Sequence, residues 1–322
     1  MNHLPAVLAL CLSGFGAAAL AQQTAFTAIE RQTNKEIILR LSVRTGLAYQ
    51  IETSSDLGRW DPLSTLRGST LNQYTDSAAP FLNGRFYRAL ELSGTNVLTG
   101  DHLSTAEGDA IVHPINHASF FMSWNGLAIY NDPVGGTAPY QTLPRADLIL
   151  VSHNHGDHFD TATLNAVKGA SAVILAPQAV YNSLPVTLKN QTVVLSNGAK
   201  TNVLGIRIEA VPSYTFTTSN HPKGVGNGYV LTLGGKRVYI SGDSEDTSEM
   251  RQLAEIDVAF VCMNVPYTMS VTKAADAIRA FRPRVVYPYH YRNQDSTLAD
   301  LNSLKRQMGI DLQIEIRTRK WY

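Results

Sequence analysis

Cysteine is almost absent. Cys11 and Cys262 are the two in 322 residues, too few for a disulfide scaffold or an all-thiolate zinc site. Neither sign of charge dominates: Lys+Arg number 27 and Asp+Glu 26, for a formal charge of +1. The electrostatic footprint of a nucleic-acid binder or a polybasic membrane-surface protein is therefore missing. Beyond residue 25 no apolar run approaches the ~18 residues that span a bilayer, which excludes a membrane-spanning helix there. With 44% hydrophobic and 16% charged residues, disorder is excluded as well. The length fits about two domains at ~150 residues each.

One long uncharged run is present at the start, LPAVLALCLSGFGAAAL over 4–20, followed by Ala21 and then Gln22-Gln23. Ala19 and Ala21 place small residues where a secretory leader is cut, so 1–21 is predicted to be a signal peptide. The protein is expected to be exported, periplasmic or secreted. Cys262 would then be the single thiol, buried and inert in the apolar run Ala259-Phe260-Val261-Cys262-Met263.

Two regions follow. Residues 22–93 carry β patterns without a helical period. Ile37, Leu39, Leu41 and Val43 alternate with polar or outward positions, and Tyr49, Ile51 and Thr53 repeat the pattern. Asp61-Pro62 and Asn83-Gly84 read as turns, and Trp60, Phe86 and Tyr87 as core aromatics. The expectation is a small antiparallel β-sandwich. Its stretches YQIETSSDLGRW and RFYRAL resemble a β module of exported bacterial proteins, which implies glycan or cell-surface contact. A polar linker, 94–99, leads into 100–322, where apolar strand candidates alternate with helical stretches at 271–281 and 297–308, as in a layered α/β domain.

The informative segment is Leu148-Ile149-Leu150-Val151-Ser152-His153-Asn154-His155-Gly156-Asp157-His158. Neutral imidazole and carboxylate are good ligands for zinc and similar divalent ions. His153 and His155, two apart on extended backbone, project to one side. Asp157 and His158 follow the turn at Gly156 and reach a second point a few ångströms away. One loop can thus supply half the ligands of two neighbouring ions. Asp243, in Ser241-Gly242-Asp243-Ser244, and His290, in Tyr287-Pro288-Tyr289-His290, each stand just past the end of an apolar strand, where open α/β sheets build their sites. His221 lies in a loop between strands.

HNHGDH, a downstream His, GDS and PYHY together resemble the metallo-β-lactamase superfamily. Asn116-His117-Ala118-Ser119-Phe120 and Tyr130-Asn131-Asp132-Pro133 resemble its opening strands. The branch indicated is one of metal-dependent hydrolases similar to the L-ascorbate-6-phosphate lactonases and N-acyl-phosphatidylethanolamine phospholipase D. The resemblance implies an αββα sandwich with the metals at one edge. It also implies a first ion on His153, His155 and His221, a second on Asp157, His158 and His290, and Asp243 bridging them. Many relatives place the His221 equivalent directly after the preceding strand, where this chain has Val211-Pro212-Ser213-Tyr214, so a looser or three-coordinate first site is expected.

Two divalent ions with an imidazole-rich set suit hydrolysis, with zinc the leading metal and manganese or iron the others such ligands take. Asp157 and Asp243 are the expected catalytic carboxylates. Redox relatives carry a carboxylate where this chain has His155. True β-lactamases of the fold usually lack the acidic bridge, which favours a lactone, carboxylic ester or phosphodiester as substrate. Asp132 is expected to steady a ligand loop. His117, Asn264 and Tyr289 are candidates to line the substrate pocket, and Lys223 is the one cation nearby. Two other readings are a surface- or glycan-binding protein with a vestigial metal site, and a β-lactam hydrolase. No nucleic-acid partner is expected.

Overall fold

The computed structural model describes residues 8–9, 25–69, 72–94, 97–310 and 312–322. Apart from the two-residue strand Leu8–Ala9, the expected leader at 1–21 lies outside them. No helix among the described residues is long and apolar enough to cross a membrane. The chain forms two compact units, Met1–Leu103 and Ser104–Tyr322. The division falls beyond the polar 94–99 stretch because Gly100 and Asp101 pair with Thr65 and Ser64.

Among its described residues the first unit is built of strands, with one short 3-10 helix at Ala79–Phe81. Strands Ala25–Arg31, Ile37–Ser42 and Gln73–Asp76 form one antiparallel sheet. Ala48–Ser54 lies between Asp61–Arg67 and Phe86–Leu92 in another. Alternation buries Ile37, Leu39 and Leu41 from the first sheet against Ile51, Leu63 and Tyr87 from the second. Two expectations fail here. Asp61-Pro62 opens a strand instead of making a turn, where a proline lacking an N–H is tolerated at the first positions. Trp60 and Phe86 are only half-buried, leaving Tyr87 as the core member of the three. The Trp60 indole donates to Leu57 O and carries the Arg88 guanidinium over its ring, a surface use of an aromatic.

The second unit holds two mixed sheets. The first runs, in spatial order, Gly108–Asn116, Ser119–Trp124, Leu127–Asn131, Ala146–Leu150, Lys168–Ala176 and Thr192–Val194. The second runs Lys200–Val203, Ile206–Ser213, Gly226–Leu233, Lys236–Ile240, Val258–Cys262, Val285–Tyr289 and Glu315–Ile316. Their inner faces meet: Phe120 stacks on Phe260 at 4.2 Å between ring centroids, and the Tyr229 hydroxyl of one sheet donates to Val151 O beside the other. The helix Val271–Phe281 covers the second sheet through Phe281 on Tyr239. Near 297–308 the helix is shorter than its apolar period suggests. The Asp300 carboxylate accepts from Ser303 N and starts it at Leu301, leaving Leu298 exposed.

Topology decides where function collects. Leu127–Asn131, Ala146–Leu150 and Lys168–Ala176 are parallel neighbours, as are Lys236–Ile240, Val258–Cys262 and Val285–Tyr289. Their C-terminal ends therefore share an edge within each sheet. The loops leaving those ends carry Asp132, 153–158, Asp243, Asn264 and His290.

Candidate metal centre

The segment after Leu150 leaves its strand with Val151, Ser152 and His153 buried. It then folds into a tight turn in which His155 O accepts from both His158 N and Phe159 N. That turn sets His153 and His155 on one side and Asp157 and His158 on the other. The Asp243 loop is aimed by Gly242, at a φ of +60°, where a Cβ would come within 2.9 Å of Asn227 O and Ser213 Oγ. Only glycine fits there. His221 comes from the long loop after Ser213, and Thr215 N–H donating to His221 O at 2.9 Å closes that loop on itself.

The ligand-type atoms gather in three overlapping groups, each within 4.8 Å: His153, His155 and His221; His117, Asp157, His158 and His290; and His153, His158 and Asp243 between them. All seven residues expected as ligands are thus brought together, His221 included, which is 6% exposed. His155 and Asp157 are the exposed members and mark the mouth, while the others are buried. The pocket beside the first group is also lined by Ser213, Pro222 and Val225.

Hydrogen bonds behind the cluster fix which nitrogens face inward. Asp132, fully buried at a φ of +41°, accepts from Ser152 N at 2.7 Å and Ser152 Oγ at 2.8 Å, with His158 Nδ1 2.8 Å away. Ser152 Oγ in turn lies 3.0 Å from His153 Nδ1. Both imidazoles spend Nδ1 on this network, which turns Nε2 toward the centre. Ser152, which the sequence did not single out, therefore steadies both sides of the cluster. Strain collects here too: His117, Asp132 and His290 all have positive φ, at 54°, 41° and 46°.

The two oxygens of Asp243 face different histidine sets. Oδ2 is 3.3 Å from His221 Nε2, while Oδ1 is 3.3 Å from His158 Nε2 and 3.5 Å from His290 Nε2. Burial opposes charge on Asp243, but His290 and His158 outweigh it and hold the carboxyl well below the usual range. Burial works against Asp157 as well, yet hydrogen bonds from His117 and His290 keep it below the ordinary carboxylate value. Burial, then the neighbouring His158, push His153 well below the usual histidine value. Burial also opposes charge on His158, where Asp243 and Asp132 prevail and raise it. Two anionic carboxylates thus stand among imidazoles whose Nε2 atoms converge. His153 Nε2 lies 3.1 Å from His155 Nδ1, and His158 Nε2 3.0 Å from His290 Nε2. Within the cluster His221 Nδ1 and Nε2, Asp243 Oδ1 and His290 Nδ1 make no hydrogen bond although buried. Such orphaned donor sets fit divalent cations.

A model of the beta-lactamase superfamily domain matches residues 112–290, more than half of the chain. The chain belongs to the metallo-β-lactamase superfamily. Within it the similar proteins are metal-dependent hydrolases. A UPF0173 metal-dependent hydrolase of Thermococcus onnurineus is 33% identical over 211 residues, 63% of this chain and 93% of that protein. Its counterpart in Pyrococcus abyssi is 30% identical over 206 residues, 61% and 90% respectively. A crystal structure of a metal-dependent hydrolase from Parabacteroides distasonis matches with a TM-score of 0.62 at 38% identity, covering 69% of this chain and 99% of that one. This superfamily member is accordingly a metal-dependent hydrolase, and its His/Asp cluster is the place that can bind the metal.

Other expectations change. His117, read as a pocket-lining candidate, stands against the second group and meets its carboxylate, with Nε2 3.0 Å from Asp157 Oδ2. Tyr289 does not line the pocket. It is fully buried among Phe120, Phe260 and Trp321, because strand alternation turns it into the inter-sheet core. Asn264 is 3% exposed and spent on Thr268, whose hydroxyl donates to Asn264 Oδ1 at 2.5 Å. Cys262 is buried, and burial pushes its thiol up to about 11, which suits an inert core residue. Lys223 is no open anion clamp: its ammonium is 2.6 Å from Glu249 Oε1 and lies over the Tyr214 ring. With its charge already engaged by Glu249 at the surface, Lys223→Ala should alter kcat/KM by less than about fivefold. A larger rise in KM would show that Lys223 meets the substrate.

Proposed function

We propose that this protein is an exported, dinuclear hydrolase that cleaves an ester-type bond in an uncharged small molecule, a lactone or carboxylic ester ahead of a phosphodiester. The observation that carries the two-ion reading is the division of Asp243 between two histidine sets. His153, His155 and His221 would hold one cation, and Asp157, His158 and His290 the other. Such a pair supplies an activated water at neutral pH and a Lewis acid for the oxygen that gains charge. Zinc is the metal the imidazole-rich set favours.

The chain's own residues then divide the work. Asp243, facing both histidine sets, would neutralise part of the combined positive charge. Asp157, ionised and at the mouth, accepts a hydrogen bond from the attacking water and orients it. Ser152 and Asp132 keep the His153 and His158 rings turned inward. The surroundings of the pocket bear on substrate charge. The cations beside the His221 loop are committed, Lys223 to Glu249 and Lys273 near Glu245 at 3.8 Å and over Phe216. Phe216 itself is 60% exposed. An apolar, charge-compensated rim suits a neutral substrate and disfavours a phosphorylated one.

One preparation tests the reading. Protein recovered from the periplasm should begin at Gln22 by intact mass, and hold about two equivalents of metal. It should hydrolyse neutral lactones or aryl esters in preference to bis-aryl phosphodiesters. A single equivalent overturns the dinuclear centre, a phosphodiester preference overturns the substrate class, and an intact Met1 overturns export by this leader.

A further inference from the structure

The second ligand group has a support that its ligands alone do not require. The His117 ring lies 3.8 Å from that of His290, and both its nitrogens are engaged. Nε2 faces Asp157 Oδ2 at 3.0 Å, and Nδ1 faces the Tyr322 hydroxyl at 2.9 Å. The direction of this chain of bonds is set at Asp157, whose ionised carboxylate can only accept. The backbone N–H of Arg292 can only donate, and it donates to the Tyr322 oxygen at 3.2 Å. The Arg292 guanidinium lies over the same ring, 4.0 Å from its centroid. A neutral imidazole carries a single N–H; the carboxylate takes it at Nε2, so Nδ1 is left to accept the proton of the Tyr322 hydroxyl. The main chain ties the same pieces together, with His117 N–H donating to Trp321 O and His290 N–H to His117 O.

We propose that Tyr322 and His117 form a positioning relay for Asp157, in which His117 donates through Nε2 and orients the carboxylate without being a ligand. The proposal rests on the two-cation reading above. Asp157 needs such help more than Asp243 does: its side chain is 50% exposed against 4%. A half-exposed carboxylate on a tight turn samples several rotamers unless a bond selects one. Outer partners that fix a ligand are worth about 10–100-fold in metal affinity.

Zinc competition titrations on the full chain would compare wild type with His117→Ala, His117→Gln and Tyr322→Phe. His117→Ala should weaken the second equivalent about 10–100-fold and leave the first unchanged. His117→Gln retains an amide N–H where Nε2–H was, and should recover most of the loss. Tyr322→Phe should fall between them and lower kcat while KM holds. Nitrogen-15 shifts of His117, recorded with and without zinc, should show Nε2–H in wild type and mixed tautomers in Tyr322→Phe. An Nδ1–H tautomer in wild type, no rescue by glutamine, or a Tyr322→Phe protein identical to wild type would each overturn the relay. If wild type takes up only one equivalent, the dinuclear reading fails, and the nitrogen shifts still decide the relay.

Discussion

Asp243→Asn should abolish most hydrolysis and leave a protein that cannot retain two equivalents of metal. The substitution is nearly isosteric, so the turn at Gly242 and the buried strand ends beside it keep their shape. What changes is charge and polarity at one point. One oxygen becomes an amide nitrogen whose protons face either His221 or the His158–His290 pair, and the negative charge shared by both histidine sets is lost. Outer partners of a ligand cost up to about 100-fold when removed, so a residue that faces both sets should cost more than that in kcat/KM. Metal analysis after exhaustive dialysis, paired with steady-state rates, is the measurement. Two equivalents retained at unchanged rate would remove Asp243 from the centre.

Asp132→Ala should strike stability as hard as activity. The carboxylate is fully buried and accepts from Ser152 N, Ser152 Oγ and Asn131 Nδ2, with His158 Nδ1 beside it. Deleting it takes the acceptor from Ser152 N–H and the Ser152 hydroxyl inside the core, while Asn131 Nδ2 keeps Ala118 O. Removing one partner from a buried charged network costs about 3–5 kcal/mol, and at 2–4 °C per kcal/mol for a unit of this size the melting midpoint should drop by about 6–20 °C. With His153 and His158 no longer held by their Nδ1 atoms, metal uptake should weaken at both groups together. A thermal melt in excess chelator separates the two effects. An unchanged midpoint there would show that the network serves the metals alone.

Much of this centre could be read from the chain because its chemistry is local. His153 to His158 lie within six positions, and Asp243 and His290 each follow an apolar strand, so spacing and strand ends suffice to find them. The strand pattern was legible because burial on both faces leaves apolar runs, whereas the αββα layering was implied by the resemblance. Contacts that span the sequence were not. Tyr322 meets His117 across 205 positions, and no periodicity announces such a pair. Ser152 looked like one more polar residue in a polar loop, and its value lies in a hydroxyl that both accepts and donates. The length of the His221 loop does not tell that Thr215 N–H closes it on His221 O. Trp60 and Tyr289 erred in opposite directions. Aromatic character alone does not say whether a ring meets a guanidinium at the surface or other rings in the interior.

The placement of His221 has a consequence for how such an enzyme could change. Six of the seven cluster residues hang on strand ends or the tight 153–158 turn, where neighbours leave little room. The seventh rides on the segment that also supplies Pro222 and Val225 to the pocket wall and carries the exposed Phe216. Grip on one cation and choice of substrate are therefore written into the same stretch of backbone. New specificities reached by rebuilding that stretch would be expected to come with weakened hold on the first ion, and diversification along this lineage should run through compensating pairs of changes, not single ones.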